Sequence, residues 1–161
     1  MHTPEGLLDL HARAHQNLVA LMAHCRSFDA DELHRELAGF GYPTVQLQLH
    51  HEVVAERYWV GVLHGRIDAE EDAGEFPTVE SLEHLREQVF QATETYLQAA
   101  SIEELNSARP MMTWGRKEER LLTPANIILR TQMHLYHHQG QLLAMCRLLG
   151  KPANGFDYPI T

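Results

Sequence analysis

The residues with the clearest chemistry are His134 and His138, in the run His134-Leu135-Tyr136-His137-His138. Four positions apart on a helix, two imidazoles stack on one face within reach of a single ion. Neutral imidazole is a good ligand for zinc and neighbouring divalent metals. A pair at this spacing also serves as core filler, so the pair alone does not decide between the two. His51, inside the apolar stripe of a separate helical segment, adds a third ring. Three buried imidazoles without partners would leave their hydrogen-bonding groups unsatisfied, and one shared metal satisfies all three. Three neutral ligands leave the full charge on the ion and one coordination position open, the arrangement of catalytic rather than closed structural sites. Such an ion lowers the pKa of bound water toward neutrality, or holds a thiol as thiolate and polarises an electrophile beside it.

The chain has 12 histidines, so each of the others needs its own reading. His50 points about 100° away from His51 on a helix, toward Arg57 and His64, and His137 is likewise off the ligand face. His11 and His15 fall on or near the inward side of the first helix, where a ring bonded to a carbonyl is commoner than a functional one. Gln141, one turn beyond His138, either orients a bound molecule or fills the core with its amide satisfied. Trp59 and Trp114 pack the fold or wall a pocket. Two other metal chemistries fail on the letters. A zinc protease motif would need histidine where Ala55 stands in His51-Glu52-Val53-Val54-Ala55. A di-iron carboxylate site needs two Glu-x-x-His pairs and further inward glutamates, a set these helices do not supply.

Four amphipathic helices must position the triad. Residues 5–26 place Leu7, Ala14, Leu18, Leu21, Met22 and Cys25 on one face, with His11 among them. Residues 28–43 carry Gly39, Gly41 and Pro43 and read as a connection with a helical turn from Asp31 to Leu37. A second helix from Thr44 to His64 has the inward stripe Leu47, His51, Val54, Ala55, Tyr58 and Val62, with Gln46, Glu56, Arg57 and Gly61 elsewhere. After an acidic loop from Asp68 to Glu75, Thr78 caps a third helix that buries Leu82, Leu85, Val89, Ala92 and Tyr96 and ends near Ala100. The helical period fails from Ser101 to Leu122, where Met111 to Trp114 and Arg120 to Leu122 flank a polar Gly115 to Glu119, the pattern of a small hairpin. Thr123 caps the fourth helix with Pro124 at its first position, and Gly150 and Pro152 stop it. Its inward face collects Ile127, Thr131, His134, His138, Gln141, Met145 and Leu149. The expected fold class is therefore all-α, a helical bundle with an irregular or hairpin insertion before the last helix, as a single domain over residues 1–161.

Composition narrows the partners. A net charge of -9 without a basic run gives no footprint for nucleic acid. No stretch reaches the roughly 20 apolar residues that span a bilayer, and the N-terminus lacks a signal-peptide layout, which predicts a cytoplasmic protein with no membrane partner. Cys25 and Cys146 lie within helical apolar patterns and read as buried free thiols, since two scattered cysteines make no disulfide framework.

The run His134-Leu135-Tyr136-His137-His138-Gln139-Gly140-Gln141-Leu142 resembles the last-helix signature of the DinB/YfiT superfamily, in which a histidine pair is followed by a basic or polar residue, glycine and glutamine. His51-Glu52-Val53-Val54-Ala55-Glu56-Arg57-Tyr58-Trp59 is similar to its second-helix pattern, a metal-binding histidine followed five residues later by an acid and then aromatics. The resemblance covers the whole helical order. It implies an up-down-down-up four-helix bundle, commonly a homodimer, with a three-histidine metal site whose ligands match His51, His134 and His138. Gln139 stands where the family often has arginine, which puts an anion contact there in doubt. Zinc is the expected ion, with nickel, manganese and iron as alternatives. The expected function is a metal-dependent transferase or hydrolase activating water or a low-molecular-weight thiol against a small-molecule substrate. The alternatives are a stress-associated protein that binds a metal or ligand without turnover, and a bundle whose histidines merely pack.

Overall fold

The computed structural model describes residues 1–67, 72–113 and 116–160, and the side chains of all of these except 116–118. Along the chain run α1 (Pro4–Cys25), α2 (Ala30–Leu33), α3 (Val45–Leu63), α4 (Val79–Ala99), α5 (Ile102–Asn106), β1 (Arg109–Thr113), β2 (Arg116–Leu122) and α6 (Pro124–Leu148). The four long helices match the four expected from apolar periodicity to within a residue or two at each end. Of the expected acidic loop, residues 68–71 lie outside the described residues, as do Trp114 and Gly115 of the expected hairpin.

Local chemistry explains where the helices start. Helix α1 opens with Thr3 Oγ1 accepting from the Gly6 N–H at 3.1 Å, and α3 with Thr44 Oγ1 accepting from Leu47 N–H at 3.0 Å. Helix α4 begins with Thr78 and Ser81 capping each other reciprocally, and α2 with Asp29 and Glu32 doing the same. Thr123 departs from expectation, because its hydroxyl makes no cap bond. Its carbonyl instead accepts from Asn126 and Ile127 N–H at 3.0 and 3.2 Å, and Pro124 at the first position removes one donor that would need a partner. The expected helical turn after Phe28 closes at Leu33, short of Leu37. The stretch from Ser101, expected to be irregular, contains the five-residue helix α5, with Ser101 as its cap. The hairpin is present, antiparallel, with Arg109 opposite Leu122 and Met112 opposite Glu119.

Gly150 ends α6 at a φ of 77°, a conformation that any side chain strains, whereas Gly140 sits within α6 with open space where a Cβ would go. Opposite outcomes follow. Gly150→Ala should cost about 1 kcal/mol, while Gly140→Ala should add about 0.5–1 kcal/mol through helix propensity. Thermal melts of the two variants check the pair.

Helix α1 packs on α4 and α6, and α3 packs on the same two. The apolar interior falls into two clusters. One holds Leu18, Leu21, Leu49, Leu82, Leu135 and Leu142, and the other, nearer the hairpin, holds Leu7, Leu97, Leu105, Met111 and Ile128. Each fully buried leucine contributes about 2 kcal/mol. Between the clusters every long helix turns polar at one level: His11 and His15 on α1, Glu56 on α3, Thr93 on α4, Thr131 and Gln132 on α6, all buried.

That layer corrects the predicted stripes. On α3 the deeply buried residues are Val45, Gln46, Gln48, Leu49, Glu52, Val53, Glu56, Val60 and Gly61, while Leu47, His51, Val54, Ala55 and Tyr58 are half-buried at the edge of that face. A helix that meets two neighbours buries a wider arc than one apolar stripe. Its polar members are accommodated by partners, as Gln46 is by the carbonyls of Ala73 and Phe76 at 2.7 and 2.9 Å. On α4, Ala92 is exposed and Thr93 and Leu97 are buried. On α6 the innermost residues are Ile128, Gln132, Leu135, Gln139, Leu142 and Cys146, with His134, Gln141 and Leu149 half-buried. Both cysteines are buried and free, as expected.

Candidate metal centre

His51 on α3 and His134 and His138 on α6 come together across the groove between these two helices. Their ring centroids lie 5.2 Å (His51 to His134), 4.6 Å (His51 to His138) and 4.2 Å (His134 to His138) apart. Nε2 of His51 and Nε2 of His134 are 3.2 Å apart, and one ligand atom from each of the three rings falls within 4.8 Å of the others. Tetrahedral coordination at metal–nitrogen distances of about 2.0–2.1 Å separates neighbouring ligand nitrogens by roughly 3.3 Å. The first pair already has the spacing that one shared ion requires.

Burial keeps the rings in the state a metal needs. Desolvation, followed by the like charges of His134 and His50, pulls His51 down to about 4. Desolvation, then His134, His51 and His137, pulls His138 down to about 3. His134 is lowered by burial and then by Arg130. At neutral pH the rings are uncharged, with lone pairs available. Tyr42 stacks on His51 with centroids 3.8 Å apart and meets His138 edge-on at 6.1 Å, closing one side of the groove.

Gln48, one turn before His51 on α3, was missed in the sequence. Its side-chain amide lies 2.6 Å from Nδ1 of His138, and its Oε1 has no hydrogen-bond partner. Rotated about its last bond, the same amide accepts from Nδ1–H and leaves Nε2 of His138 with its lone pair free for a shared ligand. The remaining sequence candidates lie as follows. His137 is exposed and accepts from the Gln141 amide at 2.9 Å, so Gln141 is engaged beside the triad. His50, expected to point away from His51 toward Arg57 and His64, is buried near Phe76, centroids 5.6 Å apart. Gln139 is 1% exposed with neither side-chain polar atom partnered, so that position faces the interior and offers nothing to a ligand arriving from solvent. Glu52, also fully buried and without a hydrogen-bond partner for its carboxylate oxygens, is pushed well above the usual carboxylate range by desolvation. Trp59 packs against Tyr58 and lies under Arg130.

His11 and His15 form a second group with Glu56. Glu56, expected off the inward face of its helix, is 1% exposed. The group could hold an ion, yet hydrogen bonds alone complete it. Glu56 Oε2 accepts from His15 Nε2–H at 2.9 Å and Oε1 accepts from the Thr93 hydroxyl at 2.6 Å. His15 Nδ1 accepts from Arg86 at 3.4 Å. His11 donates from Nε2 to the Phe90 carbonyl at 3.3 Å and accepts at Nδ1 from Gln132 at 3.4 Å. One tautomer of each ring satisfies these hydrogen bonds, so they close without an ion. Burial alone would raise Glu56, but His15, His11 and Thr93 outweigh it and hold the carboxyl down to about 2. The His51 triad is different in kind: its nitrogens face one another at the edge of the fold, within reach of solvent.

No helix among the described residues is long and apolar enough to cross a membrane. Residues 2–161 match the family model described as the DinB family. No curated protein matches the chain.

Proposed function

The chain belongs to the DinB family, and on that premise we propose that His51, His134 and His138 hold one divalent metal ion, with zinc the expected species, and that the protein is a metal-dependent transferase or hydrolase. The 3.2 Å approach of Nε2 of His51 to Nε2 of His134, with His138 beside both, carries this reading. The fold we infer around it is a single up-down-down-up four-helix bundle. The pairings support it: Cys25 lies near Cys146 and Glu52, His15 near Glu56 and Arg86, and His11 near Gln132, so numbering rises together along α1 and α6 and falls along α3 and α4.

An ion held by three neutral imidazoles keeps its full charge and would activate a water or a small thiol while polarising an electrophile beside it. The chain's own residues do the rest. Gln48 fixes the His138 ring, Tyr42 covers the His51 ring on one side, and the neutral imidazoles leave the ion's charge undiminished. The partner we infer is a low-molecular-weight thiol with a small-molecule electrophile, or a hydrolysable small molecule.

Turnover decides the matter. Protein loaded with Zn²⁺ should consume electrophile in the presence of a small thiol, and chelation should remove the rate above background. Steady binding of thiol with no metal-dependent turnover of any electrophile or ester offered would leave a binding protein and sink the enzymatic reading.

A further inference from the structure

Arg130 is the one guanidinium on the helical face that carries the triad. It lies four residues before His134 on α6, on the same side of the helix and roughly 6 Å away along the axis. Its guanidinium carbon sits 4.7 Å from the centroid of the Trp59 ring, which reaches across from α3. Trp59 is half-buried and Arg130 exposed, so the indole forms a fixed platform and the guanidinium rim stays open. No carboxylate among the described residues pairs with Arg130. Its positive charge is nonetheless felt at His134.

A chain of net charge -9 repels anions in general, so a cation beside the triad stands out. Around the triad stand neutral rings, Tyr42 and the Gln141 amide, with Arg130 at one end and no carboxylate ligand to lower the charge of an ion. Gln139, at the position where the resemblance would put a basic contact, is buried. The charge that could meet a ligand therefore comes from a different turn of α6.

We propose that Arg130, held over Trp59, is the anion contact of the site, and that the ligand is a small molecule carrying a carboxylate about one helical turn from its metal-binding group. The inference rests on the metal reading above and names the substrate class within it. Stacking on Trp59 holds the guanidinium in place before the ligand arrives, so less freedom is lost when a carboxylate pairs with its fork of N–H donors. A carboxylate-bearing thiol fits both ends, with sulfur on the ion and carboxylate on Arg130.

Co²⁺-loaded protein tests this without turnover, because a thiolate bound to Co²⁺ gives a near-ultraviolet charge-transfer band. The probes are 3-mercaptopropionate and the neutral 2-mercaptoethanol. Wild type should bind the carboxylate thiol at least about tenfold more tightly. Arg130→Gln should remove that preference and leave 2-mercaptoethanol binding unchanged, and Arg130→Lys should restore part of it. Bands from both thiols with no preference in wild type, or a preference that survives in Arg130→Gln, overturn the proposal alone. Failure to take up one Co²⁺ per chain, or the absence of any thiolate band in loaded protein, overturns the reading of the site and this inference with it.

Discussion

His134→Ala is expected to abolish stoichiometric metal binding while leaving the helical fold intact. Tag-free protein prepared without a metal column is expected to carry about one divalent ion per chain, and His51→Ala, His134→Ala and His138→Ala each to lose it, since a site of three protein ligands does not hold on two. His51 and His134 are only half-buried, so their loss removes little packing. Unchanged far-ultraviolet circular dichroism would separate loss of the site from loss of the fold. Gln48→Leu should be graded and not absolute. It removes the group that orients His138 and leaves all three ligands, so affinity should fall about 10- to 100-fold with stoichiometry retained at high metal concentration. Elemental analysis with a competitive chelator titration reads both effects. A His134→Ala protein that still carries one ion per chain would place the metal elsewhere, and the His11, His15 and Glu56 group would become the candidate.

Glu56→Ala carries the largest expected cost to stability. The substitution strands the His15 N–H and the Thr93 hydroxyl in the interior between the two apolar clusters, and removing one partner of such a buried pair costs about 3–5 kcal/mol. A fall in melting temperature of about 10 °C or more follows for a domain of this size. Metal content of the folded fraction should not change, because the triad does not use Glu56. The same layer sets the acid sensitivity. Glu56 is held down to about 2 from 4.5, so its stabilisation is complete above about 4.5 and lost as pH falls toward 2. His11 is held down to about 4 from 6.5 by burial, so the unfolded chain binds the extra proton first and stability declines as pH falls from 6.5 toward 4. His11 and Glu56 should therefore lower stability as pH falls below about 6.5, whereas Glu52, raised by desolvation, opposes them because there the folded state binds the extra proton. Urea melts of Glu52→Gln, which lacks the opposing group, check the sign, and a flat profile from pH 7 to pH 4 in that variant would show that the layer does not carry its charges as described.

The long helices and the three histidines that cluster were legible in residue pattern alone. Apolar residues at helical spacing, Thr3, Thr44 and Thr78 at the starts, Pro124 and Gly150 at the two ends of the last helix, are local signals that the chain obeys wherever it sits. His134 and His138 were legible for the same reason, because four residues on a helix fix a shared face before any tertiary contact forms. The hairpin was legible as a break in period, whereas α5 was hidden inside that break because five residues are too few to show one.

Which arc of each helix goes inward follows from packing, since it depends on how many neighbours a helix meets. Glu56 reads as a surface acid on α3, and becomes a buried anion only because His15, His11 and Thr93 arrive from α1 and α4 to outweigh its desolvation. Gln48 shows nothing in sequence of its contact with His138, 90 positions away. Gln139, where the resemblance put an anion contact in doubt, is turned into the core by the packing of its helix against α1 and α3, and Arg130, assigned no role from sequence, is left exposed over Trp59. Residue type and spacing are properties of the chain, but burial, pairing and the pKa of each group depend on the surfaces that enclose it, and those exist only once the helices have packed.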